Sequence, residues 1–397
     1  MKILILHRVP FAVLHYDQLI DHAAHEVIYL GAEDRLADLP PGLRAIRIPL
    51  LPGQDYAAHV DQSIDAFRGI ERVVSASQYT LRDAARIRES IDCPGMRVDA
   101  FDAVDDKVVM KARIRALGLR APAFMPYPQF LATRDCPWTA KTVLKPRCET
   151  ASRNVSVFAS PQMLLAAAAR GEIPAQPAAE SMQVEEFVEG PILHFDGFAR
   201  EGEIVLIQPS RYHGTCLGYA RGESLGSLQF DDRALAEVAA GYVRACDIKD
   251  GAFHLEMIQT ETGLCFLEIA PRVGGGGIND VMRLRWGIDL VAADIATQAG
   301  MSPPAYASQA TGERYGFYIV PGHMHAGSRC SVRFDYPERA RIVSETAIGA
   351  DKTLGVDITH NEGEVPLYLI VKQDLAIDAE ILMAGIAASI NIKYSKE

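Results

Sequence analysis

The chain has 397 residues, of which 49% are hydrophobic, and a formal net charge of −11; a chain of this size can bury large cores and should divide into roughly two to four lobes. The acidic balance, without any dense Lys/Arg run, argues against a nucleic acid or an anionic membrane as partner. Seven scattered cysteines with no CxxC pair argue against a zinc or dithiol site and fit a reducing compartment.

The opening run Lys2-Ile3-Leu4-Ile5-Leu6 is too short for a signal-peptide core, and no later apolar run approaches a membrane span, so the cytoplasm is the expected location. Over the first hundred residues, apolar runs (Ile3 to Leu6, Val27 to Leu30, Arg72 to Ser75) alternate with helix-like stretches such as Tyr79 to Ser90. That rhythm predicts a small parallel α/β domain, Rossmann-like, over 1–104.

From Asp105 the pattern predicts one charged amphipathic helix to Leu117, stopped by Gly118 in the C-cap role. Pro122, Pro126 and Pro128 then mark a linker over 119–130. The strand Thr142-Val143-Leu144-Lys145-Pro146, a polar loop, a β run Val155 to Phe158 and an alanine-rich helix near Met163 to Arg170 complete a first lobe with a lid, 105–187. A strand-dense second lobe, 188–310, carries Phe195 to Ala199, Ile204 to Gln208, Phe253 to Ile258 and Cys265 to Ile269. Strands Tyr315 to Val320 and Pro366 to Val371 and a helix Ala379 to Ile390 form an α+β extension, 311–397, expected to pack on the second lobe. The fold class is α/β with α+β lobes.

Chemistry concentrates in the hairpin sequence His254-Leu255-Glu256 to Leu267-Glu268-Ile269. If its turn centres on Thr262, antiparallel pairing sets Glu256 opposite Glu268 on one face, with β-carbons roughly 4.5–5.5 Å apart. Two carboxylates at that spacing raise one pKa or bring in a hard cation such as Mg²⁺. Two solvated glutamates on an exposed face are the competing reading, and a one-residue bulge would undo the pairing. Immediately after, Arg272 and the run Gly274-Gly275-Gly276-Gly277 offer a guanidinium and close-approaching backbone amides, an anion site beside the carboxylates. Lys145 stands at a strand end where an ammonium can neutralise phosphates, and Lys107 on the preceding helix is a weaker candidate. The strand Gln183-Val184-Glu185-Glu186-Phe187-Val188-Glu189 reads as a half-exposed strand or as one bonding an adenine through its backbone and carboxylates.

In this order, from Asp105 to Asp280, the segments resemble the ATP-grasp superfamily, and more closely its amino-acid ligase branch. The resemblance implies an ATP-grasp fold behind the N-terminal domain, with Lys107 and Lys145 on the nucleotide phosphates and the strand at Glu185, Glu186, Phe187 and Val188 around adenine and ribose. It places the metal carboxylates on Glu256 and Glu268 and the acyl-phosphate arginine on Arg272, with Gly275 and Gly276 at the substrate end. Two departures stand out: the loop 147–154 contains no glycine, so Ser152 and Arg153 would supply side-chain donors to phosphate, and Ala270 stands where many relatives carry a metal-binding asparagine. Mg²⁺-ATP is the implied cofactor, with Mn²⁺ as the alternative ion, and the implied reaction joins a small-molecule carboxylate to an amine through an acyl-phosphate, releasing ADP and phosphate. His194, Arg211 and His213 are candidates for the substrate end, against the alternative of packed or surface residues. A homodimer is one expected assembly. The rival functions are transfer to a carrier-protein thiol or another acceptor, carboxylation of a nucleotide precursor, and nucleotide binding without turnover.

Overall fold

The computed structural model describes every residue except 308, 374–377 and 397. Strands β1 (Lys2–Leu6), β2 (Glu26–Gly31), β3 (Ile46–Pro49) and β4 (Arg72–Val74) form a parallel sheet in the order β3-β2-β1-β4. The apolar runs of β1, β2 and β4 are continuous because both faces are covered, whereas the edge strand β3 is mostly exposed. Ile3, Ile5, Val27 and Tyr29 pack on one side with Ile295 and Ala299, and Leu4, Leu6, Ile28 and Leu30 on the other with Tyr56, Val60 and Ile87. The Gln298 side chain donates to Ser75 O at 3.0 Å and accepts the Ser75 N–H at 2.9 Å, tying this sheet to a helix far along the chain.

The helix expected from Asp105 to Leu117 runs over Lys107–Ala116, beginning two residues later than expected. Asp105 ends a helix over Val98–Asp105, and Asp106 caps a new one over Lys107–Ala116 by accepting the N–H groups of Val108 and Val109 at 2.9 and 3.4 Å. A carboxylate aimed at the first free amides of a helix is a strong start signal, and Arg147 fixes it further with a 2.5 Å ion pair. Nor is 119–130 a free linker. β5 (Phe124–Pro126) pairs with a later strand, and Tyr127–Thr133 is helical with Pro128 in its first turn, where the missing N–H is not needed.

β5 joins β6 (Thr142–Pro146), β7 (Ser156–Phe158) and β8 (Met182–Glu186) in a four-stranded sheet, order β5-β8-β6-β7. The remaining strands are β9 (Ile192–Arg200), β10 (Glu203–His213), β11 (Leu225–Gln229), β12 (Gly251–Thr260), β13 (Gly263–Ala270), β14 (Arg314–Val320), β15 (Ser328–Phe334), β16 (Ile342–Ala347), β17 (Leu367–Gln373) and β18 (Ile390–Lys396). Eight of them make one antiparallel sheet, β13-β12-β9-β10-β11-β14-β17-β16, while β15 and β18 pair separately. The segment after 311 was expected to pack on the second lobe. It does so edge to edge: β14 hydrogen-bonds to β11 and continues the same sheet.

Candidate active site

A cleft opens between the four-stranded and eight-stranded sheets, walled by Val143, Val157, Phe187, Val188, Ile192 and Leu267 and floored by charge. Its central feature is the β12–β13 hairpin. The turn is tighter than expected: Thr260 faces Gly263 across Glu261 and Thr262, a register in which Glu256 would meet Leu267. A bulge then leaves Leu267 without a partner, and the register becomes Glu256 opposite Glu268. The irregularity that would have undone the expected pairing is what produces it.

The two carboxylates have different surroundings. Glu268, with 35% of its side chain exposed, lies 3.3 Å from Lys107 Nζ. Burial alone would raise its carboxyl, but Lys107, Lys145 and Lys111 outweigh that and bring it down to about 2. Lys107 Nζ also donates to Glu149 O at 2.8 Å. Beside it Lys145 pairs with Glu185 Oε1 at 2.7 Å, and Lys111, one helical turn after Lys107, pairs with Glu185 Oε2 at 2.9 Å. Lys111 is fully buried, and burial, only partly countered by Glu185, lowers its ammonium to about 8.

Glu256 is held by hydrogen bonds instead. Its Oε1 accepts from Tyr212 OH at 3.1 Å, His254 Nε2 at 3.3 Å and Cys216 Sγ at 3.6 Å. Behind it, His254 Nδ1 donates to Asp196 Oδ1 at 2.7 Å, His194 Nδ1 donates to Asp196 Oδ2 at 2.5 Å, and Ser227 Oγ lies 2.6 Å from His194 Nε2. Burial would lower the His254 pKa, but Asp196 and Glu256 raise it to about 10, so both ring nitrogens carry protons. The same pairing holds the Asp196 carboxyl far below its ordinary value despite complete burial.

The hinge carboxylates are already engaged. Glu185 lies between two lysines, Glu186 accepts the Ala123 N–H at 2.9 Å, and Glu189 pairs with Lys141 at 2.6 Å. Phe187 and Val188 line the cleft wall, so an adenine would meet apolar surface and backbone there rather than free carboxylates. Ser152 and Arg153 also line the cleft. Their glycine-free loop nevertheless adopts left-handed backbone at Ala151, Ser152 and Asn154, with φ of 57°, 51° and 57°, a conformation that glycine takes without steric cost.

Arg272 donates through Nε to Gln78 and through Nη1 to Val273 O at 2.7 Å, which joins the site to the N-terminal region. Gly274 packs so tightly on His254 that a β-carbon would lie 2.6 Å from Nδ1, Gly275 faces His360, and Gly276 has φ of +70°. His360, stacked on Tyr219 at 4.5 Å, is kept neutral by burial and the nearby Arg272, its pKa pushed down to about 4.

Three expectations for the substrate end need correction. Arg211 and His213 pair with Glu380 at 3.2 and 3.3 Å. They sit on the face of β10 opposite Tyr212, because neighbouring side chains of a strand point to opposite faces. His194 is on the cleft face but is 1% exposed, buried behind Glu256. Residues that sequence reasoning missed are Lys111, Asp196, Tyr212, His254 and His360. Four-residue spacing from Lys107 and two-residue spacing from Glu256 and His194 were available signals for Lys111, His254 and Asp196; none marks Tyr212 or His360.

No protein-family model matches the chain. It is 24% identical over 234 residues to an L-arginine-specific L-amino acid ligase of Bacillus subtilis, a match covering 55% of each chain; the chain thus spans about half the length of that curated relative. Among solved structures, an L-amino acid ligase from Bacillus licheniformis superposes with a TM-score of 0.70 at 16% identity, covering 100% of this chain and 98% of the other. The biotin carboxylase domain dimer of a 2-oxoglutarate carboxylase from Hydrogenobacter thermophilus, in complex with MgADP and bicarbonate, superposes at 0.62 with 14% identity over 100% and 91% of the two chains.

Proposed function

The chain has the ATP-grasp fold, and on that premise we propose that it is an ATP-dependent carboxylate-amine ligase acting on an amino acid or related small carboxylate. The observation carrying this reading is the meeting of Glu256 and Glu268 beside Lys107 and Lys145 in one cleft, with Lys111 buried behind them on Glu185. Among the described residues, no protein group hydrogen-bonds to Glu256 Oε2 or Glu268 Oε1. Two carboxylate oxygens without protein hydrogen bonds, beside the Lys107 and Lys145 ammonium groups, suit a hard divalent ion, Mg²⁺ or Mn²⁺. Such an ion, when bound, supplies charge neutralisation to the β- and γ-phosphates.

Lys145 and Lys107 would hold the phosphates, and the wall at Phe187 and Val188 the base. A substrate carboxylate oxygen bonds to the γ-phosphorus as the bond to ADP breaks, giving an acyl-phosphate. The amine nitrogen then bonds to the acyl carbon, the carbon–oxygen bond to phosphate breaks, and the proton leaves with phosphate. Positioning and electrostatics supply the acceleration, with Arg272 stabilising the developing oxyanion. Seven free cysteines support a reducing cytoplasm, and no described helix is long and apolar enough to cross a membrane. A homodimer belongs to the same reading, and light scattering would test it.

The test is ADP release from Mg-ATP with pooled amino acids, coupled to mass spectrometry of the products. A ligase gives amino-acid-dependent ADP and a dehydrated dipeptide or amide mass. ADP release that no carboxylate stimulates, or a protein that binds ADP silently, would discard the reading; the latter outcome would favour a nucleotide-binding protein without turnover, to which Ala270 points.

A further inference from the structure

We propose that Tyr212 and His254, with Asp196 behind them, are positioning residues that commit one oxygen of Glu256 to the protein and reserve the other for the divalent cation. The inference deepens the ligase reading and rests on its metal assignment. Oε1 of Glu256 faces three donors, Tyr212 OH, His254 Nε2 and Cys216 Sγ. Oε2 has no hydrogen-bond partner among the described residues, and the side chain lines the cleft. A carboxylate so divided presents one oxygen in a fixed direction. Turning it to offer both would leave buried donors unpaired.

The support is rigid because it is built across adjacent strands. Glu256 faces His194, and His254 faces Asp196, in the β12–β9 register; Ser210, two residues before Tyr212, faces His194 in the β10–β9 register. Each partner sits at a two-residue offset on one face. Asp196 is bridged by both histidines, His194 is pinned by Ser227, and the His194 ring stacks on Tyr212 at 4.4 Å. Outer partners that fix a ligand's orientation commonly change metal affinity by about 10- to 100-fold when removed.

A metal held by His194, Asp196 and His254 themselves is the competing use of these groups, since their ligand atoms lie within 4.8 Å of one another. The contacts argue against it. Separations of 2.5 and 2.7 Å between ring nitrogens and carboxylate oxygens are hydrogen bonds, shorter than the ~3 Å that separates two ligands on an ion with bonds of about 2.0–2.1 Å. The remaining ring nitrogens are engaged by Ser227 and Glu256.

The experiment titrates Mn²⁺ into the ADP-bound full chain and follows free Mn²⁺ by electron paramagnetic resonance. ADP affinity in EDTA and the metal-free melting temperature are measured in parallel. Tyr212→Phe, which deletes one donor and little else, should raise the Mn²⁺ Kd about tenfold, and His254→Gln by about 10- to 100-fold, with metal-free ADP affinity unchanged. Wild-type Mn²⁺ affinity in Tyr212→Phe and His254→Gln, alongside loss in Glu256→Gln, overturns the positioning role and leaves the metal assignment standing. Undiminished affinity in Glu256→Gln removes the metal assignment itself. Nitrogen couplings to bound Mn²⁺ in that variant would place the ion in the histidine cluster and also overturn the proposal. Loss of metal-free ADP affinity or of melting temperature in step with the Mn²⁺ effect would reduce these residues to a structural role. Should His254→Gln fail to fold, Tyr212→Phe decides.

Discussion

On one side of the carboxylate pair Glu268 reaches the Lys107 ammonium, with Lys145 and Lys111 close enough to depress its carboxyl further. On the other side Glu256 is enclosed by hydrogen-bond donors from β10, β12 and Cys216, just after β10. The first arrangement is an ion-pair cluster, Lys107 on Glu268 and Lys111 and Lys145 on Glu185; the second is a hydrogen-bonded carboxylate with one oxygen that accepts no protein hydrogen bond. The like-charge repulsion expected of two facing glutamates is therefore relieved before any metal binds, by ammonium groups for one and by N–H, O–H and S–H donors for the other.

The largest effect expected is on folding. Lys111→Met removes one of two cations from fully buried Glu185, and breaking a buried pair costs about 3–5 kcal/mol. Urea unfolding followed by circular dichroism would show it; an unchanged midpoint would mean that Lys145 alone satisfies Glu185. Next, Lys145→Ala should weaken ADP binding on the order of 100-fold, as expected for losing a charge-assisted bond of about 1.5–3 kcal/mol, read by calorimetry. Affinity within twofold of wild type would take Lys145 out of the phosphate site.

The carboxylates themselves give the sharpest contrast. Glu268→Gln loses its pair with Lys107 and should lower the metal-free melting temperature, whereas Glu256→Gln keeps an acceptor oxygen for its donors, and Asp196 still balances His254, so it should lower that temperature less. Each should lose most of the extra thermal stabilisation that Mg²⁺ adds to ADP, because only the binding state is stabilised. Identical metal-free melting temperatures would erase the distinction between the two carboxylates. The pH dependence follows with its sign. Glu268 has its folded pKa depressed to about 2 from 4.5, so its contribution to stability is complete above pH 4.5 and is lost as pH falls toward 2. Metal-free stability should decline less steeply across that window in Glu268→Gln than in wild type; parallel slopes would assign the acid sensitivity to other carboxylates.

The smallest effect concerns the loop. Ser152→Gly relieves one left-handed residue and should stabilise the unliganded chain by roughly 1 kcal/mol, offset in part by glycine's larger unfolded-state entropy. A lower melting temperature would show that the Ser152 side chain holds the loop in place.

Much of this was legible in local pattern. Continuous apolar runs announced β1, β2 and β4 of the parallel sheet, though not the mostly exposed edge strand β3, and alternation with a polar turn announced the β12–β13 hairpin and its two glutamates. Lys145 before Pro146 was visible as a strand-end ammonium. The start of the helix expected from Asp105 was placed two residues early, because the cap at Asp106 declares itself only once its side chain is seen on the Val108 and Val109 amides.

Sequence alone determined which side chains share a face within one strand, since alternation is a property of the covalent chain. That places Glu256 with His254, His194 with Asp196, and Arg211 with His213. Which of those faces turns to the cleft was decided by the tertiary structure, through pairing between strands that lie far apart in the chain. Register across β12 and β9 brings Asp196 under His254, 58 residues away, and sends Arg211 and His213 to Glu380 instead. The facing of Glu256 and Glu268 depended on both levels: local spacing brought them near, and a bulge at Leu267, set by how β13 fits the sheet and not by its composition, supplied the single residue of slip that put them side by side.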